Sequence, residues 1–340
     1  MYNRVRKRVK IMAQEKKQAT IYDVAYRAHT SLATASRVIN GKDNVAEPTR
    51  QKVLKAIKEL NYKPNAMAKG LAMQKNTNVA IIVPEINYTY ISHVVAGLMD
   101  CAKKYGYDCL IFTTENRADV NKVLNKVLSL RVNGVIVFND YLDEKDVGVL
   151  TDFEIPTVTI GLDLKTKSSV TWHYKNQIKE IVDNCLNNKH KEVFFLKVKN
   201  SGKMEQRLLN AVIETYHEHQ KEFKNIIEVP DSYKETYPIM HRHFLKHKQG
   251  FYIALRDSIA IAALNAAMDL KKDVPNDVEI MAMIGTKYSE LTRPKLSSFD
   301  IDMRGLGYES MEVLTKLIQS DKKIISKKLP FAFIQRGTTK

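Results

Sequence analysis

The sequence predicts a small all-α head with a hinge helix, followed by an α/β core of two lobes. Short helical patterns with capping residues cover residues 19–63, and one more short helical pattern lies within residues 64–77. From residue 78 to residue 340, apolar strand-like runs alternate with helical patterns, and the alternation restarts near residue 163. Strands that alternate with helices of roughly 10–15 residues indicate βαβ units and a doubly wound parallel sheet.

The first part of the head has the pattern of two short helices around a tight turn. Thr20 can cap the first helix, because its hydroxyl oxygen can accept a hydrogen bond from a first-turn amide. Apolar residues then recur at helical spacing, and Ser31 offers a second cap one residue before Leu32. In a helix-turn-helix arrangement the second helix lies in the major groove of DNA and reads base edges with its first turn. Residues 19–63 are therefore predicted to bind DNA.

Side chains early in the second helix are the candidates for base recognition. Leu32 and Ala33 occupy its first turn, and Arg37 lies on the same face as Ala33, four residues later. An arginine here can bond guanine O6 and N7 together, whereas Ala33 offers an apolar contact that suits a thymine methyl group. Polar groups around them can bond phosphate oxygens, which fixes the register of the protein on the duplex. These further DNA-contact candidates are Thr20, Tyr22, Ser31, Thr34, Ser36, Asn40 and Tyr62.

A three-helix packing unit that does not bind DNA, with solvated Ser, Thr and Arg side chains, would show the same pattern. The charge distribution helps to distinguish the two possibilities. Residues 1–74 contain 16 Lys and Arg against 5 Asp and Glu, while the whole chain contains 54 against 38. Most of the positive excess therefore lies in the N-terminal part of the chain. A basic region at one end is the electrostatic footprint expected for a nucleic-acid partner, and it favours DNA binding.

The two helical blocks resemble the LacI/GalR family of bacterial transcription regulators, nearest to its catabolite control protein A branch. The resemblance extends over nearly the whole chain. Its motifs are Ser31-Leu32-Ala33-Thr34 in the first block and Pro64-Asn65-Ala66-Met67-Ala68-Lys69-Gly70-Leu71 in the second. Two positions depart from the family pattern. His29 stands at the turn position usually filled by Gly or Asn, and Ala35 stands where a valine is usual.

The resemblance implies that the second block is a hinge helix that folds only on the operator. Leu71 would then insert into a central CpG step of the minor groove, with Asn65, Ala68 and Lys69 beside it. Such apolar wedges unstack a base step and kink the duplex. The alternative is that Leu71 is an ordinary leucine of a helix core. The family also implies a homodimer, which suits a pseudo-palindromic double-stranded DNA operator, and the helices at 91–104 and 257–270 are the interface candidates.

The resemblance further implies that residues 78–340 form a periplasmic-binding-protein-like core. The chain crosses between the lobes of that fold three times. The first lobe is expected to hold residues 78–162 and 286–320, and the second lobe residues 163–285 and 321–340. Predicted strands lie at 79–84, 107–112, 134–138, 157–160, 193–196, 226–229, 250–254 and 278–283. Predicted helices lie at 91–104, 120–129, 146–153, 176–187, 205–219 and 259–269.

Ligands of such folds sit between the lobes, at the carboxyl ends of the strands. The candidate crevice residues are Tyr90, His173, Arg207, Asp257 and Ile284. A sugar site needs paired polar side chains, but the resemblance places His173 and Ile284 where the family has Asp, and Glu205 near its expected Arg. Asp257 remains as an acid, although it can equally cap a helix. The crevice is therefore predicted not to recognise a sugar in the usual way. Tyr88, Tyr90 and Trp172 either line it or pack in the core.

Several hypotheses for the control of activity stay open. The catabolite-control branch is thought to use a protein corepressor, the serine-phosphorylated phosphocarrier protein. Its phosphate needs cations on an exposed first-lobe surface. Lys287 and Arg304 are the candidates, although Glu312 stands where another cation is expected. The alternatives are an effector-independent repressor, a repressor with an unrelated ligand, and a local repressor that responds to a sugar-type effector.

Composition argues against other classes of protein. The 13 glycines form no phosphate-binding loop and the nine histidines show no metal-ligand spacing, so no enzyme, cofactor or bound metal is expected. Cys101, Cys109 and Cys185 lack metal or redox spacing and are expected to be buried thiols in a reducing cytosol. No apolar run approaches the ~20 residues needed to cross a bilayer, so no membrane partner is expected. A solute-binding protein shares the core architecture but needs export and has no DNA-binding head.

Residues 1–18 form a basic segment with seven Lys or Arg and one Glu. The segment lacks the apolar run of a signal peptide, so the protein is expected in the cytoplasm. One interpretation is a disordered arm that adds nonspecific contacts to phosphates. The other is that translation begins at Met12.

Overall fold

The computed structural model describes residues 19–63, 77–114, 116–162, 164, 167–172, 174–189, 192–199, 201–319 and 323–340. The chain forms two compact units that divide between Asn76 and Thr77. The described residues of the first unit, the head, form three helices. Those of the second unit, the core, form two six-stranded sheets with their helices.

The head consists of α1 (Ile21–Arg27), α2 (Leu32–Ile39) and α3 (Glu47–Glu59). The first two helices begin where the sequence predicts. The Thr20 hydroxyl accepts from the Asp23 amide, and the Asp23 carboxylate accepts from the Thr20 amide at 2.7 Å, which completes a capping box. Ser31 Oγ accepts from the Thr34 amide at 3.1 Å. α3 begins without a side-chain cap but carries Pro48 in its first turn, where proline fits a helix.

All three helices contribute to a small apolar core. The turn between α1 and α2 passes through His29, whose φ of +52° lies in the left-handed region, where a side chain costs free energy. The fold therefore tolerates this departure from the family pattern at a cost. Ala35 is fully buried, so the second departure still packs α2 against the head. The buried apolar residues are Val24, Ala25, Ala28, Ala35, Val38, Val53 and Ala56.

The first part of the core runs β1 (Asn78–Val83), α4 (Thr89–Tyr105), β2 (Asp108–Thr113), a 3₁₀ turn (Arg117–Asp119), α5 (Val120–Ser129), β3 (Gly134–Val137), α6 (Glu144–Asp152), β4 (Thr157–Ile160) and β5 (Ser168–Thr171). The second part runs α7 (Lys175–Asn184), a π-helical turn (Cys185–Lys189), β6 (Val193–Val198), α8 (Lys203–Glu218), β7 (Ile226–Val229), α9 (Tyr233–Lys246), β8 (Gly250–Arg256), α10 (Asp257–Asp269), β9 (Val278–Ile284) and α11 (Lys287–Leu291). The chain ends with β10 (Ser297–Asp300), α12 (Met303–Gln319), β11 (Ser326–Lys328) and β12 (Ala332–Ile334).

The two sheets define the two lobes. The first has the order β11-β5-β4-β3-β1-β2 and all its neighbours are parallel. The second has the order β12-β10-β9-β8-β6-β7 and is parallel except for β12, which runs antiparallel to β10. This confirms the predicted two-lobed α/β core, and the carboxyl ends of the parallel strands place their loops where ligands of such sheets bind.

The lobe boundaries differ from the sequence-based ones at three places. β5 was expected in the second lobe but pairs with β4 in the first sheet. β10 was expected in the first lobe but pairs with β9 in the second sheet. β11 was expected in the second lobe but pairs with β5. The crossings therefore lie between β5 and β6, between β10 and α12, and between β11 and β12. These strands are short and partly polar, so their pattern in the sequence is weak.

The strands and helices predicted for the core all appear, with ends within one helical turn of their predicted positions. The elements that the sequence did not predict are β5, α9, α11, β10, α12, β11 and β12. α12 packs on α4 and on β3, β4 and β5, so this part of residues 286–320 does return to the first lobe. Cys101 and Cys185 are buried and Cys109 is half-buried, all as free thiols. Within the described ranges, every helix is too short or too polar to cross a membrane.

Candidate DNA-binding face and interlobe crevice

The second helix of the head presents one face to solvent. Ala33 and Arg37 are exposed, and Leu32 is 39% exposed. Ala35 and Val38, on the opposite face, are buried in the head. The side chains that the sequence nominates for base contacts therefore share an accessible surface. A capped, packed helix holds them, and such a helix loses little entropy when it binds.

Several polar residues nominated for phosphate contacts already bond within the head. Ser31 and Thr34 hydroxyl oxygens are 2.9 Å apart, in addition to the cap that Ser31 forms. The Asn40 amide Nδ2 donates to the Ser36 carbonyl at 2.9 Å and to Ser36 Oγ at 3.3 Å. Thr20 belongs to the capping box. These groups shape the ends of α1 and α2, and each hydroxyl keeps further hydrogen-bonding capacity for a phosphate.

Two tyrosines on α1 extend the accessible surface of the head. Tyr22, which the sequence nominates, is 68% exposed, and Tyr26 is 84% exposed. Tyr26 comes four positions after Tyr22, so both lie on one side of the helix. Sequence reasoning missed Tyr26, although its spacing from Tyr22 was a usable signal. Tyr62 is half-buried against the head core. Asn65, Ala68, Lys69 and Leu71, the hinge residues, lie outside the described residues.

An ion pair fixes α1 against α3. Arg27 Nε lies 2.9 Å and its Nη2 2.8 Å from Glu59 Oε2. Both side chains are well exposed, so the pair contributes little to stability by itself.

In the core, the crevice between the lobes is occupied by side chains of the chain itself. Tyr88 Oη, from the loop after β1, donates to Asp231 Oδ2, from the loop after β7, at 2.5 Å. Asp231 also forms an ion pair with Arg256, the last residue of β8. The Arg256 guanidinium carbon lies 4.8 Å from the centroid of the Tyr88 ring, which stacks on Tyr90 at 5.6 Å. Burial raises the pKa of both tyrosines, so they stay neutral.

A second set of contacts joins the lobes at α8. Asp140 Oδ2, after β3, accepts from the Met204 amide at 3.3 Å. Burial raises the pKa of Asp140. A Cβ added at Gly202, the N-cap of α8, would overlap Asp140 Cβ and lie 2.8 Å from its Oδ2. Arg207 Nη1 donates to the Gly161 carbonyl, after β4, at 3.2 Å. Each of these contacts pairs one group of the first lobe with one of the second.

A carboxyl group is buried at the start of α8. Glu205 is 1% exposed, and its Oε2 accepts from the Val198 amide at 3.1 Å. Burial raises the pKa of Glu205 to about 7, although hydrogen bonds to Ser201 and Val198 and the charge of Arg256 oppose the increase. The family pattern implies a sugar-binding arginine near this position, whereas Glu205 is a buried carboxyl, a different chemical group.

The candidate crevice residues lie in different environments. Tyr90 lies in the crevice cluster, and Arg207 reaches across it as described. Asp257 is not the N-cap of α10, which is Arg256. Its Oδ2 accepts from the Thr286 amide at 3.0 Å and from Thr286 Oγ1 at 2.5 Å, so it ties the start of α10 to the N-cap of α11 within the second lobe. Ile284 is buried at the end of β9, and His173 lies outside the described residues.

Sequence reasoning nominated Tyr90 and Arg207 but not the other residues that fill the crevice. It missed Asp140, Asp231 and Arg256. For Tyr88 it left two alternatives open, lining the crevice or packing in the core. Each of these residues ends or follows a parallel strand, and that position is the signal that could have found them.

The two nominated corepressor contacts line one cavity of about 470 Å³, together with Tyr90, Thr286 and Arg336. Arg304 Nε donates to Asp100 Oδ2 at 2.9 Å, so this guanidinium is already paired. Lys287 is exposed, with its Nζ 5.5 Å from the ring centroid of Tyr288. Glu312 lies 3.5 Å from Lys316. Among the described residues, His, Cys, Asp and Glu form no group of three that could hold a metal ion.

Comparisons with known proteins agree with this architecture. Residues 20–65 match bacterial regulatory proteins of the lacI family, and residues 182–339 match the periplasmic binding protein-like domain. Catabolite control protein A of Staphylococcus xylosus is 34% identical over 328 residues, which cover 94% of this chain and 99% of that protein. The chain belongs to the LacI family. It is a DNA-binding transcriptional regulator with a helix-turn-helix head and a two-lobed core.

Solved structures show the same fold. The lac repressor dimer bound to operator and the anti-inducer ONPF has a TM-score of 0.80 at 22% identity, covering 95% of this chain and 99% of that one. The regulator CcpA of Lactococcus lactis has a TM-score of 0.67 at 25% identity, covering 78% of this chain and 100% of that one. Both regulators share this chain's fold.

Proposed function

We propose that this LacI-family regulator is a homodimeric repressor that binds a pseudo-palindromic operator with a central CpG step. The observation that carries the proposal is the exposed face of α2, where Leu32, Ala33 and Arg37 project from a capped helix. Each dimer would place two such helices in successive major grooves, one helical turn of DNA apart. The lac repressor, a relative in fold, is a dimer on its operator.

The head supplies both kinds of contact that specific binding requires. Arg37 can form the bidentate bond to guanine, and Ala33 can contact a thymine methyl group. Tyr22, Tyr26 and the hydroxyls at the ends of α1 and α2 would bond phosphates, which positions the reading helix. The positive excess within residues 1–74 makes this binding sensitive to salt, because bound lysines and arginines release counterions.

The hinge part of the proposal rests on the sequence. Leu71 would enter the central CpG step from the minor groove, flanked by Asn65, Ala68 and Lys69. An apolar side chain between base pairs bends the duplex, and the bend brings further protein groups to the phosphates. The CpG preference of the operator follows from this wedge, since the step being opened contributes its own deformation energy.

For the homodimer, the first lobe offers the better surface. Met99 on α4 is 52% exposed and Ile111 on the edge strand β2 is 43% exposed, although most of the apolar face of α4 is inside the lobe. The helix at 257–270, the second nominated surface, turns its apolar face inward: most of α10 is buried against its own lobe, and Met268 remains accessible. The tight packing of alanines in α10 explains the difference, because their small side chains let it lie against β8 and β9.

Fluorescence anisotropy tests the proposal. Purified protein without any effector is titrated onto a short palindrome with a central CpG and, separately, onto a scrambled duplex at physiological salt. Selective binding supports an autonomous repressor. Weak, equal binding to both duplexes, with a folded head by circular dichroism, means that selective binding needs a partner, and the phosphorylated carrier is then added. Equal binding in its presence as well contradicts sequence-specific reading. Sedimentation equilibrium on the same samples checks the dimer.

A role in carbon catabolite control is the second part of the proposal, with the serine-phosphorylated phosphocarrier protein as corepressor in the cytoplasm. It is supported by the catabolite control relatives and by the shared cavity of Lys287 and Arg304. The pairing of Arg304 with Asp100 weakens its attraction for a phosphate. Calorimetry with the phosphorylated carrier tests this partner. No heat at tens of micromolar excludes it and leaves an effector-independent repressor, a repressor with an unrelated ligand, or one that responds to a sugar-type effector.

A further inference from the structure

We infer that the core holds its two lobes closed with its own side chains, so that closure needs no small-molecule ligand in the crevice. The closed state is then the resting state of the regulator. The inference concerns the core alone and can be tested without DNA, so it stands or falls separately from the proposed operator.

The first support is a tie across the crevice. Tyr88 belongs to the first lobe, and Asp231 and Arg256 belong to the second. The hydrogen bond from Tyr88 to Asp231 and the position of the Arg256 guanidinium over the Tyr88 ring link the lobes twice. A hydrogen bond from a hydroxyl to a carboxylate is stronger than one between two neutral groups, and a cation over an aromatic ring adds attraction.

The tie uses the groups that a polyhydroxyl ligand would need. Asp231 is engaged by Tyr88 and by Arg256 at once, so its oxygens are occupied. A cavity of about 630 Å³ at the crevice is lined by Leu142, Leu162, Lys203 and Arg207, and by neither Asp231 nor Arg256. A sugar would have to break the tie before it could bond these two residues. Its binding free energy would therefore be reduced by the free energy of the contacts that it breaks.

The second support is the close approach at Gly202. This glycine has a φ of −74°, an ordinary backbone conformation, so the backbone alone does not require glycine here. What excludes a side chain is Asp140 of the opposite lobe, whose Cβ stands where the added Cβ would be. Asp140 also accepts from the Met204 amide in the first turn of α8, which is the favourable end of a helix for a carboxylate. The lobes are thus shaped to meet at this point.

Two buried atoms near the tie lack a hydrogen-bond partner in the described part of the chain, Arg256 Nε and Glu205 Oε1. A ligand that reached them would gain hydrogen bonds. A test of self-closure must therefore include sugars, because binding there would tighten the closure and reveal a ligand.

Trp172, the single tryptophan of the chain, reports on the crevice. It follows β5, where the chain first leaves the first lobe, and is buried. A Cβ at Gly161 would lie 3.3 Å from its ring, and the Gly161 carbonyl is the acceptor for Arg207 of the second lobe. Trp172 also belongs to a buried apolar cluster that spans both lobes and includes Leu208 of α8. Opening of the lobes divides this cluster, so emission should shift to longer wavelength and quenching by acrylamide should increase.

The experiment compares the full-length protein with Tyr88→Phe, which removes one hydroxyl from the tie. Tyr237→Phe is the matched control, because Tyr237 Oη also donates to a carboxylate, Asp269, at 2.5 Å, but within one lobe. Gly202→Ala is a second variant that wedges the lobes apart. Its control is Gly148→Ala, since an added Cβ at Gly148 meets nothing within 4 Å. D-Glucose, D-ribose and cellobiose are added to each protein at millimolar concentration.

The inference predicts weak quenching in the wild type, unchanged by the sugars, and a severalfold larger quenching constant in Tyr88→Phe and Gly202→Ala. The two controls should behave as the wild type. The inference is overturned if both variants match their controls while remaining folded by circular dichroism. It is equally overturned if wild-type Trp172 is readily quenched until a sugar protects it, since closure would then be driven by a ligand.

Discussion

Gly97 of α4 and Gly307 of α12 form a contact in which the two helix backbones touch. A Cβ at Gly97 would overlap the carbonyl oxygen of Arg304, and a Cβ at Gly307 would overlap the carbonyl oxygen of Val94. Backbone atoms cannot rotate away as a flexible side chain can. The pair therefore sets the distance between α4 and α12, the two longest helices of the first lobe.

Gly97→Ala is expected to destabilise the core by about 1–3 kcal/mol, because the added methyl group forces the helices apart. The better helix propensity of alanine offsets only part of this cost, roughly 1 kcal/mol. Urea denaturation followed by Trp172 fluorescence measures the change in the free energy of unfolding. Gly148→Ala on α6, where nothing opposes a Cβ, serves as the control and should be neutral or stabilising. Equal stabilities for the two variants would contradict the close contact.

Arg37→Ala is expected to weaken operator binding by about 1–3 kcal/mol and to relax the preference at one base pair. The reason is the loss of a bidentate bond to guanine from the exposed face of α2. Anisotropy titrations on the operator and on duplexes substituted at each position measure both effects. Arg242→Ala is the control, because it removes the same charge from the exposed face of α9 in the other unit. If Arg37→Ala weakens binding to random DNA as much as to the operator, the arginine contacts phosphates instead.

Leu71→Ala is expected to reduce DNA bending more than it reduces nonspecific binding. The wedge acts only where a base step is opened, whereas nonspecific binding depends on phosphate contacts. Fluorescence energy transfer between dyes at the two ends of an operator duplex measures the bend, and anisotropy on a scrambled duplex measures nonspecific affinity. An unchanged bend would indicate the alternative, a leucine that packs within the hinge.

The head was largely predictable because its signals are local. Thr20 and Ser31 cap their helices through bonds to residues three positions away, so spacing in the sequence was enough to place α1 and α2. The crevice was predictable only as a location. Asp231 contributes to the crevice through its hydrogen bond with Tyr88, which is 143 residues away in the chain. A local sequence pattern cannot predict such a pair. The predicted positions of the lobe crossings were wrong for a similar reason. β5 and β11 are only four and three residues long, and their place in the first sheet depends on pairing with each other.

Glu205→Gln is expected to change how the stability of the core depends on pH. The pKa of Glu205 rises from its ordinary value of 4.5 to about 7 on folding, so between these values the folded state binds more protons than the unfolded state. Stability from this group is therefore fully present below pH 4.5 and is lost as pH rises through 7. Glutamine does not titrate, so the variant should gain stability relative to the wild type across this window, by at most about 3 kcal/mol.

Urea denaturation of both proteins at a series of pH values, followed by Trp172, measures this difference. The comparison must be between variant and wild type, because His243 acts in the opposite direction. Burial lowers the pKa of His243 to about 4, so its contribution to stability is present above pH 6.5 and is lost as pH falls towards 4. The two slopes partly cancel in the wild type, but His243 is common to both proteins and drops out of the difference. A difference that stays constant from pH 4.5 to 7 would show that Glu205 is ionised normally in the folded core.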